Sequence, residues 1–66
     1  MFRLKNIRSE RNMTQLELSK LSGVSQPYIN ELENSKKKNP SVSVLKKLAE
    51  TLGVKLSELV NEDYKE

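Results

Sequence analysis

Gln26, Asn30, Glu31 and Asn34 are the residues of this 66-residue chain whose types and spacing most suggest chemistry. Stepping about 100° per residue along a helix from Gln26, Ile29 and Leu32 fall on one side, with Tyr28 and Glu33 on its flanks. Pro27, Asn30, Glu31 and Asn34 fall on the opposite side, with Gln26 at its edge. An outward face of amides and a carboxylate, where a merely solvated helix would carry Lys and Glu pairs, is built to meet something. Amides both donate and accept hydrogen bonds, which is recognition chemistry. Histidine and cysteine are absent, which removes the commonest general base, the commonest metal ligands and the thiol nucleophile together. With no Gly-rich phosphate loop and no cluster of acids, the sequence predicts neither an enzyme nor a metal or cofactor site.

The elements that must position this face are legible from caps and periodicity. Thr14 followed three residues later by Glu17 forms a capping box that starts a helix, and Gly23 can take the left-handed conformation that ends it. Val24 turns the chain and Ser25 caps the next helix. Pro27 then falls in a first turn, where its missing N–H costs nothing, so Ser25 should bond the N–H of Tyr28. In the Thr14 helix Leu18 and Leu21 should point inward with Ser22, leaving Leu16 exposed. An earlier helix is predicted over 2–11, with Leu4, Ile7 and Arg11 on one side. Ser41 should cap a helix running to about Leu52, with Val42, Leu45, Leu48, Ala49 and Leu52 as its apolar stripe and Gly53 as its stop. A last short helix is predicted over about 56–62, where Leu56, Leu59 and Val60 are apolar. Tyr64 and its charged neighbours are expected to form a frayed tail. The expected fold is all-α, five helices in one domain over 1–62 with a tail at 63–66.

Sixty-six residues suffice for one small and marginally stable core. No apolar run approaches a membrane span and the N-terminus carries charges where a signal peptide needs an apolar stretch, so a cytoplasmic location is expected. The net charge of +3 is unevenly spread: residues 1–38 carry +4 and residues 39–66 carry −1. A basic half containing the helix pair suits a polyanion facing that side, although an ordinary solvated surface would look similar.

These marks form a recognisable series: Thr14-Gln15, Leu18-Ser19, Gly23-Val24-Ser25, Ile29 and Leu32-Glu33-Asn34, continuing through Asn39-Pro40-Ser41 and Leu45, Leu48-Ala49, Leu52-Gly53-Val54 to Leu59. The series resembles the helix-turn-helix of the phage-repressor and Cro-like family, also called the XRE family, and covers nearly the whole chain. The resemblance implies a lambda-repressor-like five-helix domain with the helix-turn-helix at helices two and three. It implies an Arg8–Glu33 pair beneath the domain, with a phosphate contact as the other use of that arginine. It also departs in places. Ser35 stands where most relatives have Gly, and Asn34 could supply the left-handed exit of the third helix instead. Lys55 stands where a serine cap is usual, with Glu58 still in place.

In this family the second helix of the pair lies in the major groove with its N-terminal residues on base edges. Gln26, Pro27, Tyr28, Asn30 and Glu31 would then be the base contacts. Gln26 could pair with an adenine, Asn30 could do the same or bond phosphate, and Glu31 could accept from a cytosine amino group or repel wrong sequences. Tyr28 could bond phosphate or pack on a thymine methyl, and Pro27 offers apolar contact. Gln15 resembles a glutamine that bonds phosphate and braces Gln26. Asn34, Lys36, Lys37, Lys38 and Asn39 would complete the phosphate clamp, each neutralised phosphate adding to salt dependence. A polar surface and a solvated loop are the bland alternatives.

One such module reads few base pairs, so the expected partner is double-stranded DNA carrying a two-fold symmetric operator bound by a homodimer. The candidate dimer surface is Leu56, Leu59, Val60 and Tyr64, residues that could equally close the core. The expected function is a sequence-specific transcriptional repressor or regulator. The alternative is a protein-interaction module, such as an antitoxin or adaptor, which an apolar patch at Leu16 or on the last helix would favour.

Overall fold

The first helix, α1 (Leu4–Glu10), is held by two buried side chains one turn apart, Leu4 and Ile7. The computed structural model describes residues 3–34, 36 and 40–60. Four more helices follow: α2 (Gln15–Ser22), α3 (Gln26–Glu33), α4 (Val42–Leu52) and α5 (Leu56–Leu59). They pack α2 against α3 and α4, α1 against α3, and α5 against α4. The core between them is Leu4, Ile7, Leu18, Val24, Ile29, Leu32, Leu45, Leu48, Ala49, Leu52 and Leu59, with Met13, Tyr28, Val44, Val54, Leu56 and Val60 packed on its margin.

Local chemistry sets the boundaries. Thr14 Oγ1 accepts from the Glu17 N–H at 3.0 Å and the Glu17 carboxylate accepts from the Thr14 N–H at 2.8 Å, completing the capping box. Gly23 ends α2 at φ 80° and Gly53 ends α4 at φ 73°, conformations that cost a Cβ-bearing residue strain. At α5 only half a box forms. Glu58 accepts from the Lys55 N–H at 3.0 Å, but a lysine side chain has no acceptor to return the bond.

Several expectations are corrected. Leu21 is 67% exposed and does not point inward. Among the described residues no other helix covers the side of α2 that faces the α1–α2 turn, and an open groove there is lined by Arg11, Asn12, Met13, Glu17, Lys20 and Leu21. Arg11 is likewise exposed, outside the Leu4 and Ile7 face. Val42 is 60% exposed, because it lies in the first turn of α4 about 70° round from the stripe that is buried. Helix α5 is one turn long, since Val60 at φ −103° and ψ 117° is already extended. Ser41 occupies the cap position of α4, but its hydroxyl meets that of Ser43 at 2.9 Å and not a backbone N–H. Asn34 has φ −100° and does not supply a left-handed exit; instead the Lys36 N–H returns to the Glu31 carbonyl at 2.8 Å.

The left-handed non-glycine residue among those described is Asn12, at φ 54°. It sits just beyond α1, where the Asn12 N–H bonds the Ser9 carbonyl at 2.9 Å and the Met13 N–H bonds that of Arg8 at 3.2 Å. This is the doubly bonded end that glycine usually supplies, and asparagine tolerates it better than other side chains. Asn12→Gly is therefore expected to raise stability by up to about 1 kcal/mol, and Asn12→Val to lower it by about 1–2 kcal/mol, in urea unfolding.

Candidate nucleic-acid interface

The outward face of α3 is fixed first by its own start. Ser25 Oγ accepts from the Tyr28 N–H at 3.3 Å and the Ser25 carbonyl takes the Ile29 N–H at 3.1 Å. Pro27 has no N–H to leave unmet. Ile29 and Leu32 anchor the inner side with essentially no exposure. On the outer side Gln26, Pro27, Asn30 and Asn34 are exposed, while Tyr28 and Glu31 are half-buried at the flanks.

Two helices, α1 and α2, converge on the other end of α3. Arg8 of α1 donates from Nε to Glu33 Oε2 at 2.6 Å and from Nη2 to Glu33 Oε1 at 2.9 Å, a bidentate pair. The third guanidinium nitrogen, Nη1, donates to the Met13 carbonyl at 2.7 Å and so holds the α1–α2 turn. Gln15 of α2 donates from Nε2 to Glu33 Oε1 at 2.9 Å. The Glu33 side chain is 2% exposed and that of Arg8 13%. Burial pushes the Glu33 carboxyl up, but the hydrogen bonds from Arg8 and Gln15 and the nearby positive charges of Arg8 and Lys5 outweigh it and hold it below the usual carboxylate range. The hydrogen bond to Glu33 raises the already high pKa of Arg8, against the opposing pull of burial.

The structure brings together some predicted residues and separates others. Gln15 braces the last turn of α3 at Glu33, at the opposite end from Gln26, because a buried carboxylate demands more donors than one guanidinium gives it. The Tyr28 hydroxyl accepts from the Ser41 N–H at 2.9 Å, tying α3 to the cap of α4. Asn34 turns back onto Asn30, donating from Nδ2 to the Asn30 carbonyl at 2.9 Å and to Asn30 Oδ1 at 3.1 Å. Lys36 is exposed beside the end of α3. Lys37, Lys38, Asn39 and Tyr64 lie outside the described residues. Of the suggested dimer surface, Leu59 is fully buried and closes the core, whereas Leu56 and Val60 are half-buried at its margin.

Sequence reasoning missed the Asn12 helix end, the Arg8 bond to Met13 and the Tyr28–Ser41 tie. The first had a signal, an asparagine directly after a periodic segment. The Arg8 bond follows from that same turn, which brings Met13 back over Arg8, whereas the Tyr28–Ser41 tie joins residues thirteen apart whose proximity follows only from packing. The Asn30–Asn34 bond also had one, the i,i+4 spacing of two amides on one helix face.

A helix-turn-helix family model matches residues 4–59. The chain is 38% identical over 61 residues to an immunity repressor protein of Bacillus phage phi105, covering 92% of this chain and 42% of that protein. It is 44% identical over 54 residues to an HTH-type transcriptional regulator of Sinorhizobium fredii, covering 82% of this chain and 69% of the other. With the HTH-type transcriptional regulator SinR of Bacillus subtilis it shares 31% identity over 62 residues, 94% of this chain and 56% of SinR. The chain thus spans from under half to about two thirds of the length of these relatives. Matched along most of its length, from the first turn of α1 to the last residue of α5, this chain belongs to the helix-turn-helix family.

Proposed function

We propose that this chain binds double-stranded DNA by sequence and represses or otherwise regulates transcription, laying α3 in the major groove. The observation that carries the reading is the exposed face of Gln26, Pro27 and Asn30, held by the Ser25 cap at one end and the Arg8–Glu33–Gln15 cluster at the other. A reading face must be rigid, since an error of about 1 Å in placing a donor forfeits the hydrogen bond it is meant to make. The repressor and regulator names of its relatives agree with this use. Phosphates would be met by the exposed Lys36 with Lys37, Lys38 and Asn39 beyond it, and by the start of α2, where the N–H groups of Gln15 and Leu16 have no partner among the described residues.

On DNA two copies would read half-sites about 34 Å apart, meeting through Leu56 and Val60 rather than the buried Leu59. The role is binding without catalysis. No described helix is long and apolar enough to cross a membrane. A DNA target implies work in the cytoplasm. A protein-interaction module is the second reading; Leu16 and Leu21 of α2 are 50% and 67% exposed, but at about 140° apart around the helix they form no single patch in its favour.

Selection of bound duplexes from a randomised pool at near-physiological salt tests the proposal. Enrichment of a two-fold symmetric site is expected; binding that enriches nothing and fades with salt would leave the protein-interaction reading. Gln26→Ala should weaken the preferred site by about five- to a hundred-fold, flatten preference at one base pair of each half-site, and leave nonspecific affinity nearly unchanged in titrations against both duplexes. Equal loss on all DNA would remove Gln26 from the base contacts.

A further inference from the structure

The first four residues of the α3 start, Ser25 to Tyr28, divide into two that hold the fold and two that stand out from it. Ser25 Oγ caps the helix by accepting from the Tyr28 N–H, passing over Pro27, and the Tyr28 hydroxyl accepts from the Ser41 N–H. Gln26 and Pro27 are exposed between them. A proline in a first turn is tolerated because its missing N–H would be unpaired there. That accounts for the backbone of Pro27 and not for what its ring meets. The ring is closed on its own backbone, so it presents apolar carbons at a set position and has no side-chain entropy to lose on contact.

The groups that distinguish base pairs in the major groove are hydrogen-bond donors and acceptors, with one apolar exception, the C5 methyl group of thymine. A proline side chain has nothing to donate and nothing to accept with. Set against a polar base edge it would shut that edge off from water without replacing the lost bond, which is unfavourable. Against a methyl group it gains by burial. Resting on the DNA-binding reading above, we infer that Pro27 reads the C5 methyl of a pyrimidine: it favours thymine at its base pair through that group, and favours C5-methylated cytosine over cytosine where a C·G pair is put there. Consecutive Cα atoms are about 3.8 Å apart and successive bases of a strand about 3.4 Å, so this pair lies within about two base pairs of the one that Gln26 reads.

Duplex selection on the full chain supplies the site, and each thymine of that site is then replaced in turn by uracil, which removes only the methyl. One replacement, beside the pair flattened by Gln26→Ala, should weaken binding about fourfold for each half-site changed, the worth of burying one such group. Cytosine at that position should also weaken binding, and a C5 methyl added to that cytosine should recover about fourfold. In Pro27→Gly, which has no side chain, the thymine and uracil duplexes should bind alike. Pro27→Ser, which keeps one carbon of the ring, should shrink the difference and guards against a glycine variant that does not fold, circular dichroism melts deciding which variants count. Tolerance of uracil at every thymine by the unsubstituted chain, no gain from the methyl on cytosine, or a methyl effect undiminished in the folded variants, as expected if the Tyr28 ring made the contact, would each overturn the inference while DNA reading stands. Failure of the unsubstituted chain to enrich any sequence would overturn the DNA-binding reading, and this inference with it.

Discussion

Glu33→Ala is expected to remove most of the stability of the fold. The Arg8 guanidinium, only 13% exposed in the intact chain, loses its carboxylate, and stranding one partner of a buried pair costs about 3–5 kcal/mol. A domain of this length holds only about 3–10 kcal/mol in all. At about 4–8 °C per kcal/mol, the melting temperature should fall by at least about 12 °C in a circular dichroism melt. Arg8→Met with Glu33→Leu should recover much of the loss, because removing both charges leaves neither to be desolvated. An unchanged melt for Glu33→Ala would show that the pair is solvated in solution.

The same carboxylate gives the fold an acid-sensitive window. Glu33 titrates below its ordinary value in the folded chain, its burial being outweighed by the bonds from Arg8 and Gln15 and the charges of Arg8 and Lys5. Between the unfolded value, about 4.3, and the lower folded one, the unfolded chain binds more protons than the folded chain. The contribution of Glu33 is therefore complete above the unfolded value and is lost as pH falls through the folded one. Glu33→Gln should lack that part of the acid slope when melting temperature is followed against pH.

What was readable in the sequence was whatever depends on neighbours along the chain. The Thr14–Glu17 box, the Gly23 stop and the Ser25–Tyr28 cap each need partners three or four residues apart, and each is present. The buried sides of α3 and α4 followed from periodicity, because Ile29, Leu32, Leu45, Leu48 and Leu52 lie at helical spacing. Periodicity fails at the edges of a face. Leu21 and Val42 lie at such edges, and whether an edge is covered depends on where another helix ends, which no local spacing encodes.

The candidate site divides the same way. Its outward residues on α3 follow from helical phase, and Gln26, Pro27, Asn30 and Asn34 are all exposed. The orientation of their polar groups was not legible. Gln15, given the task of bracing Gln26, instead serves Glu33, and Asn34, given to phosphate, bonds Asn30. A side chain with two ends can satisfy several partners, and the choice among them is made by packing and by the cost of an unmet buried group.

Leu59→Ala is expected to cost about 2–5 kcal/mol, the range for emptying a fully buried leucine site. Such a loss would answer whether the last helix belongs to the core or to a partner. Leu59 has no exposed surface, and its carbonyl accepts from the Arg3 N–H at 2.8 Å, so α5 ties the start of α1 to the end of α4 within one chain. The cavity left by alanine would open between elements of the same molecule. The fall in melting temperature should therefore be the same at micromolar and at hundred-fold higher protein concentration, since nothing concentration-dependent is removed. If the residue instead stabilised the chain through a second copy, the difference between Leu59→Ala and the unsubstituted chain would shrink on dilution, as the dimer dissociated in both. Val60→Asp supplies the contrast. Val60 is half-buried at the margin of the core, so a charge there retains access to water and should leave the diluted chain far less affected than Leu59→Ala does. If two copies meet through this margin on DNA, Val60→Asp should weaken binding to a two-fold symmetric site while sparing binding to a single half-site, which places the dimer surface around Leu59 and not on it.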